Sequence, residues 1–131
     1  MSTRFRVLPA LAWLVPVGVL VQAGLAGQAL FGSPDLFTLH GTIGSGVLLL
    51  SLATAALAWL VRVPRLGAVL ASLGFVALIG QTGLGYAGRR GGLAAASALH
   101  VPLGAAVLAL TVAAALVIAM RSRATTEAST R

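Results

Sequence analysis

Histidine is the side chain in this 131-residue chain best suited to chemistry, and there are two, His40 and His100, set 60 residues apart. Each lies inside a long apolar stretch, and their surroundings repeat. Leu39-His40-Gly41-Thr42-Ile43-Gly44 is answered by Leu99-His100-Val101-Pro102-Leu103-Gly104. Upstream, Gln22-Ala23-Gly24-Leu25 is answered by Gln81-Thr82-Gly83-Leu84. Imidazole in hydrocarbon is costly, so a matched pair in a repeat asks for a shared partner. Heme iron would serve, because it accepts two axial nitrogens from opposite sides. Two other readings stay open. The histidines could be structural, bonded to nearby backbone or to Gln22 and Gln81, or they could serve another ion, a proton or a quinone. Two histidines alone underfill a zinc shell, and the apolar stretches hold no carboxylate or cysteine.

The elements that must carry these residues follow from composition. The chain is 59% hydrophobic and 8% charged, with a mean hydropathy of +1.03. A soluble domain of this size needs far more polar surface. Charged residues divide the chain into uncharged stretches 7–34, 36–61, 66–88 and 91–120. Each exceeds the roughly 20 residues that cross about 30 Å of hydrocarbon as a helix. The expected fold is an all-α membrane protein, an up-down-up-down bundle of four transmembrane helices in a lipid bilayer.

The net charge of +7 comes entirely from arginine. In a soluble protein it would suggest nucleic acid; here the arginines flank the spans, which excludes that partner and speaks to orientation. Arg4, Arg6, Arg62, Arg65, Arg121, Arg123 and Arg131 fall on one side, and Arg89 and Arg90 on the other. The positive-inside rule then makes both termini cytoplasmic and places the protein in the cell's inner (plasma) membrane as a multi-pass protein. The absence of cysteine removes disulfides, iron–sulfur ligation and thioether-linked heme. The first apolar run is too long for a signal peptide and belongs to the repeat, so it reads as an uncleaved span.

Helices are expected over 7–31, 36–61, 65–87 and 93–121. Residues 1–121 form a single domain of two repeated hairpins, about 7–61 and 65–121, followed by a disordered cytoplasmic tail over 122–131. Gly32-Ser33-Pro34-Asp35 has turn chemistry, with Ser33 or Asp35 able to cap the second helix. Pro64 stops that helix and starts the third. Gly88-Arg89-Arg90-Gly91-Gly92 reads as a second loop. A parallel repeat implies a pseudo-twofold axis along the membrane normal. It places His40 and His100 on diagonal helices, roughly 6–10 Å below the outer surface at 1.5 Å per residue.

The histidine stripes continue alike. Gly44 and Gly104 follow four residues on, and Ser51 and Thr111 eleven residues on, all on one helical face. The glycines would leave room for the edge of a macrocycle. Gly67, Gly74 and Gln81 make a small-residue stripe on the third helix. Gln22 and Gln81 suit interhelical hydrogen bonding, or support of an axial histidine or the cofactor's polar edge. Arg89 and Arg90 suit either lipid headgroups or heme propionates, which guanidinium binds through its planar fork. Tyr86 and Trp13 read as interfacial or packing aromatics. Pro102 carries no assignment.

Over residues 18–115 the chain resembles one four-helix half of the heme A synthase family. Gln81-Thr82-Gly83-Leu84-Gly85 followed by Ala98-Leu99-His100 looks like the third and fourth helices of such a half. The resemblance implies that His40 and His100 are the axial ligands. It also departs from that family: Phe37 and Gly41 stand where the catalytic half carries Glu and Arg, and there is no loop cysteine pair. The expected function is therefore a b-type heme protein with bis-histidine ligation, engaged in electron transfer or heme handling rather than hydroxylation. The alternative is a non-enzymatic accessory or structural membrane protein without cofactor. A homodimer could mimic the two-half arrangement, and a redox partner in the membrane would complete an electron-transfer role.

Overall fold

The computed structural model describes the backbone of residues 4–129 and the side chains of residues 7–120. Four helices fill it, α1 (Arg4–Phe31), α2 (Leu36–Leu60), α3 (Arg65–Gly91) and α4 (Ala94–Ser129). The segments Val7–Phe31, Leu36–Leu60, Arg65–Gly91 and Ala94–Met120 are each long and apolar enough to cross a membrane. The chain is an all-α four-helix bundle of the multi-pass membrane class. Each helix packs on its sequence neighbours and α1 packs on α4, which leaves α1/α3 and α2/α4 as diagonals.

The connections show why the helices stop where they do. Gly32 and Ser33 both donate N–H to the Gln28 carbonyl at 2.9 Å and close α1. Asp35 is the N-cap of α2 but forms no side-chain cap bond. The backbone carbonyls of Ser33, Pro34 and Asp35 instead accept from Leu36, Phe37 and Thr38 at 3.0–3.1 Å, so side-chain capping by Ser33 or Asp35 is not needed. At the opposite end Val63 N–H reaches Ala58 O and Arg62 N–H reaches Trp59 O. This is a Schellman closure with Arg62, at φ 55°, in the position glycine usually takes. Pro64 follows, and its carbonyl accepts the N–H groups of Gly67 and Ala68 to begin α3. Nearby, Trp59 Nε1 donates to Ser72 Oγ at 3.0 Å, joining α2 to α3.

Two boundaries differ from the sequence reading by about a turn or more. α3 runs to Gly91 instead of 87, so Arg89 and Arg90 lie in its last turn and not in a loop. Gly88 and Gly91 hold helical dihedrals; only Gly92, at φ 64°, turns left-handed and ends the helix. α4 continues to Ser129 through residues expected to form a disordered tail, because nothing from Arg121 to Ser129 is glycine or proline. Arg131 lies outside the described residues.

Apolar burial is concentrated away from the histidines. Leu8, Ala12, Ala58, Ala68, Ala115 and Ile118 pack together at the Arg62 end. Val15, Val47, Leu78 and Val107 form a layer at mid-bundle. Beyond that layer, toward the histidines, Ala29 and Ala96 are the only fully buried apolar side chains among the described residues. The repeat persists in the packing: Val47 and Val107, Ser51 and Thr111, and Ala55 and Ala115 are all buried, each pair 60 residues apart. The small stripe of α3 lies against α4. A Cβ on Gly67 would stand 3.2 Å from both Ile118 and Val117, and one on Gly74 would stand 3.1 Å from Thr111. At the equivalent places α1 carries Leu8 and Val15, both buried. Leu49, Leu60, Val76 and Val101 are among the large side chains left outward, the pattern of a lipid-facing surface.

Candidate functional site

His40 enters the bundle from α2 and His100 from α4, across the diagonal that the repeat predicts. Both are half-buried. Their ring centroids are 6.3 Å apart, with the planes inclined at 58°. His40 Nδ1 lies 3.0 Å from the backbone carbonyl of Gln22. His100 Nδ1 lies 3.0 Å from the backbone carbonyl of Gln81. The twofold repeat of the sequence is therefore a twofold repeat of contacts.

Those bonds fix the tautomer. A carbonyl oxygen only accepts, so each Nδ1 carries the proton and donates. In the neutral ring the lone pair then resides on Nε2, which makes no hydrogen bond among the described residues. Metal-binding histidines are prepared in this way, with one nitrogen held by a carbonyl and the other left basic. The spacing agrees: two imidazoles on opposite sides of one metal, each with its nitrogen about 2.0 Å away, hold their centroids about 6.4 Å apart. Among the described residues no group of three or more His, Cys, Asp or Glu side chains is placed to hold an ion. The donor set is two imidazoles, which leaves an ion shell incomplete and suits a group that asks for two nitrogens.

The glutamines do more with their backbone than sequence reasoning assigns them. Gln22 and Gln81 meet the histidines through main-chain carbonyls, which helix geometry normally commits to the residue four places on. The second lone pair of each carbonyl serves the histidine. Their side-chain amides lie over the two glycines that follow the histidines. A Cβ on Gly44 would meet Gln22 Oε1 at 3.3 Å, and one on Gly104 would meet Gln81 Nε2 at 3.0 Å. The room left by Gly44 and Gly104 is thus taken by glutamine amides. The remaining amide atoms, Gln22 Nε2 and Gln81 Oε1, are buried without a hydrogen-bond partner. An orphaned polar atom costs about 1–3 kcal/mol, and here two lie beside the histidines at equivalent places.

Arg89 and Arg90 close the same end. The Arg89 guanidinium lies 4.7 Å from the centroid of Phe37, three residues before His40, and so ties α3 to α2. Arg90 lies 4.9 Å from the Tyr86 ring one turn back on its own helix. Tyr86 is accordingly a partner for Arg90 as well as an interfacial aromatic. Trp13 is exposed on α1, away from the site. Pro102 faces outward within continuous α4. Gly85 is a site residue that the sequence reading did not single out: a Cβ there would stand 3.1 Å from His100 Cε1. Its signal was present in the last letter of Gln81-Thr82-Gly83-Leu84-Gly85, which the first repeat answers with Ala26.

No curated protein and no solved structure matches the chain. A family of unknown function, DUF6220, matches residues 22–88, from the first glutamine of the site through His40 and Gln81 to the end of α3. That span is half of the chain and holds three of the four polar residues that meet between the helices. The chain belongs to the DUF6220 family.

Proposed function

We propose that this protein is an integral membrane b-type heme protein, with His40 and His100 as axial ligands and electron transfer or membrane heme handling as its role. One observation carries the reading: both Nδ1 atoms are held by backbone carbonyls, so both Nε2 atoms are left basic on rings 6.3 Å apart. A merely structural pair would not need matched tautomers at that spacing. The scarcity of buried apolar side chains around the histidines supports a site built for an occupant. So do the unpartnered Gln22 and Gln81 amides, which a bound group or its water would satisfy. Arg89 and Arg90, at the charged end of the site, are suited to the carboxylates of the macrocycle. The resemblance to a heme A synthase half points the same way.

A heme with two histidine ligands supplies one-electron redox chemistry and leaves no open coordination position. Phe37 in place of an acid fits that role and argues against hydroxylation. With seven of nine arginines on the opposite side, the reading places the heme toward the outer face of the inner membrane and both termini in the cytoplasm. The partner is then a redox protein or a second copy within the bilayer. The test is the reduced-minus-oxidised absorbance spectrum of protein purified from heme-replete cells. A b-type Soret and α band are expected; a colourless protein favours the cofactor-free accessory role.

A further inference from the structure

The repeat makes the histidines equivalent in register, but their seats differ. Gly85 lies one turn beyond Gln81 on α3, and a Cβ there would stand 3.1 Å from His100 Cε1 and 3.4 Å from its Nδ1. The His100 ring therefore rests on bare helix backbone between the Gln81 carbonyl and Gly85. The register that pairs Gln22 with Gln81 pairs Ala26 with Gly85. α1 therefore carries a methyl at the position where α3 has none. His40 makes the same 3.0 Å bond to the carbonyl of Gln22, so the two seats differ in the side chain at 26 and 85 and not in the bond to the histidine.

The same contrast recurs at three positions and reverses at one, where Gly18 of α1 packs against Val47 of α2 and α3 carries Ala77. α3 presents Gly74, Gly85 and Gly88 to Thr111, His100 and Ser97 of α4. The matching residues of α1 are Val15, Ala26 and Ala29. α3 and α4 are joined across Gly92 and Leu93, while four residues, 32–35, separate α1 from α2. His100 is thus gripped on both sides of its position, whereas the close approaches of α1 to α2, Gly18 against Val47 and Gly44 against Gln22, lie on one side of His40 only.

Building on the heme reading, we propose that His100 is the fixed ligand and His40 the exchangeable one, so that the His40 side of the iron binds a small neutral π-acceptor such as carbon monoxide. With heme bound, His40 Nε2 would be the donor given up to an incoming neutral ligand, an exchange in which no electron would be gained or lost. His40 keeps its proton on Nδ1 and its bond to Gln22. Gly85 acts as the positioning residue for His100.

The experiment reconstitutes the purified protein and its H40A and H100A variants with heme b, reduces them and titrates carbon monoxide by absorbance. Wild type should give a six-coordinate spectrum, and H40A should keep heme and take carbon monoxide at once. H100A should bind heme at least about tenfold more weakly than H40A. Gly85→Ala sets a methyl against His100, with circular dichroism and the unfolding midpoint of the heme-free protein checking that the fold is kept; it should weaken heme binding by about tenfold or more, while Ala26→Gly leaves it unchanged. Equal losses in H40A and H100A, or the reverse order, overturn the proposal with the heme reading intact. A wild-type protein that binds no heme overturns both.

Discussion

The two ends of this bundle are built on different terms. At the Arg62 end, Leu8, Ala12, Ala58, Ala68, Ala115 and Ile118 fill the space between all four helices. At the histidine end the facing side chains are Gln22, His40, Gln81 and His100, all half-buried, with two amide atoms unsatisfied. In a bilayer, apolar side chains gain little by moving from lipid to protein, so helices associate through close van der Waals fit and small residues. The packed end has that fit. The histidine end gives it up, and the cost of an unpartnered amide recurs there in both repeats.

Four substitutions test this division, in decreasing order of effect. Replacing His40 and His100 together by Ala should abolish b-type absorbance while leaving the helical circular dichroism intact; retained absorbance would place the site elsewhere. Ile118→Ala, in the packed end, should do the opposite. It should lower resistance to SDS unfolding in mixed micelles by about 2 kcal/mol, the bottom of the usual range because lipid removes the transfer term and leaves the cavity. Its heme spectrum should not change. Gln22→Leu should stabilise the cofactor-free protein by about 1 kcal/mol in the same assay, by removing an orphaned amide. A loss of stability would show that the amide already has a partner. Trp59→Phe should have the smallest effect, about 0.6 kcal/mol for one interhelical hydrogen bond in a membrane.

Much of the site was legible because it is written twice. The paired His and Gln elements gave the diagonal placement, and Ser51 and Thr111, on the same stripes as the histidines, are buried. Pro64 marked the turn between the hairpins. What escaped depends on neighbours that no local pattern names. Arg89 and Arg90 sit among glycines that read as a loop, yet α3 carries them because packing and the membrane override glycine's weak propensity. The hydrogen bonds to histidine come from main-chain carbonyls, which every residue owns, so nothing in Gln22 or Gln81 announces them. The filling of Gly44 and Gly104 by glutamine amides likewise depends on where α1 and α3 lie, not on the histidine helices.

The diagonal placement of the histidines also sets an order of assembly. The first hairpin can insert and pair its helices while the second is still being synthesised, and so can the second once it follows. Neither holds more than one imidazole. The pair comes together only when α4, the last helix made, docks beside α1 and α3. On the heme reading, capture of the cofactor therefore waits for the last helix, and a truncated or misinserted chain would stay colourless.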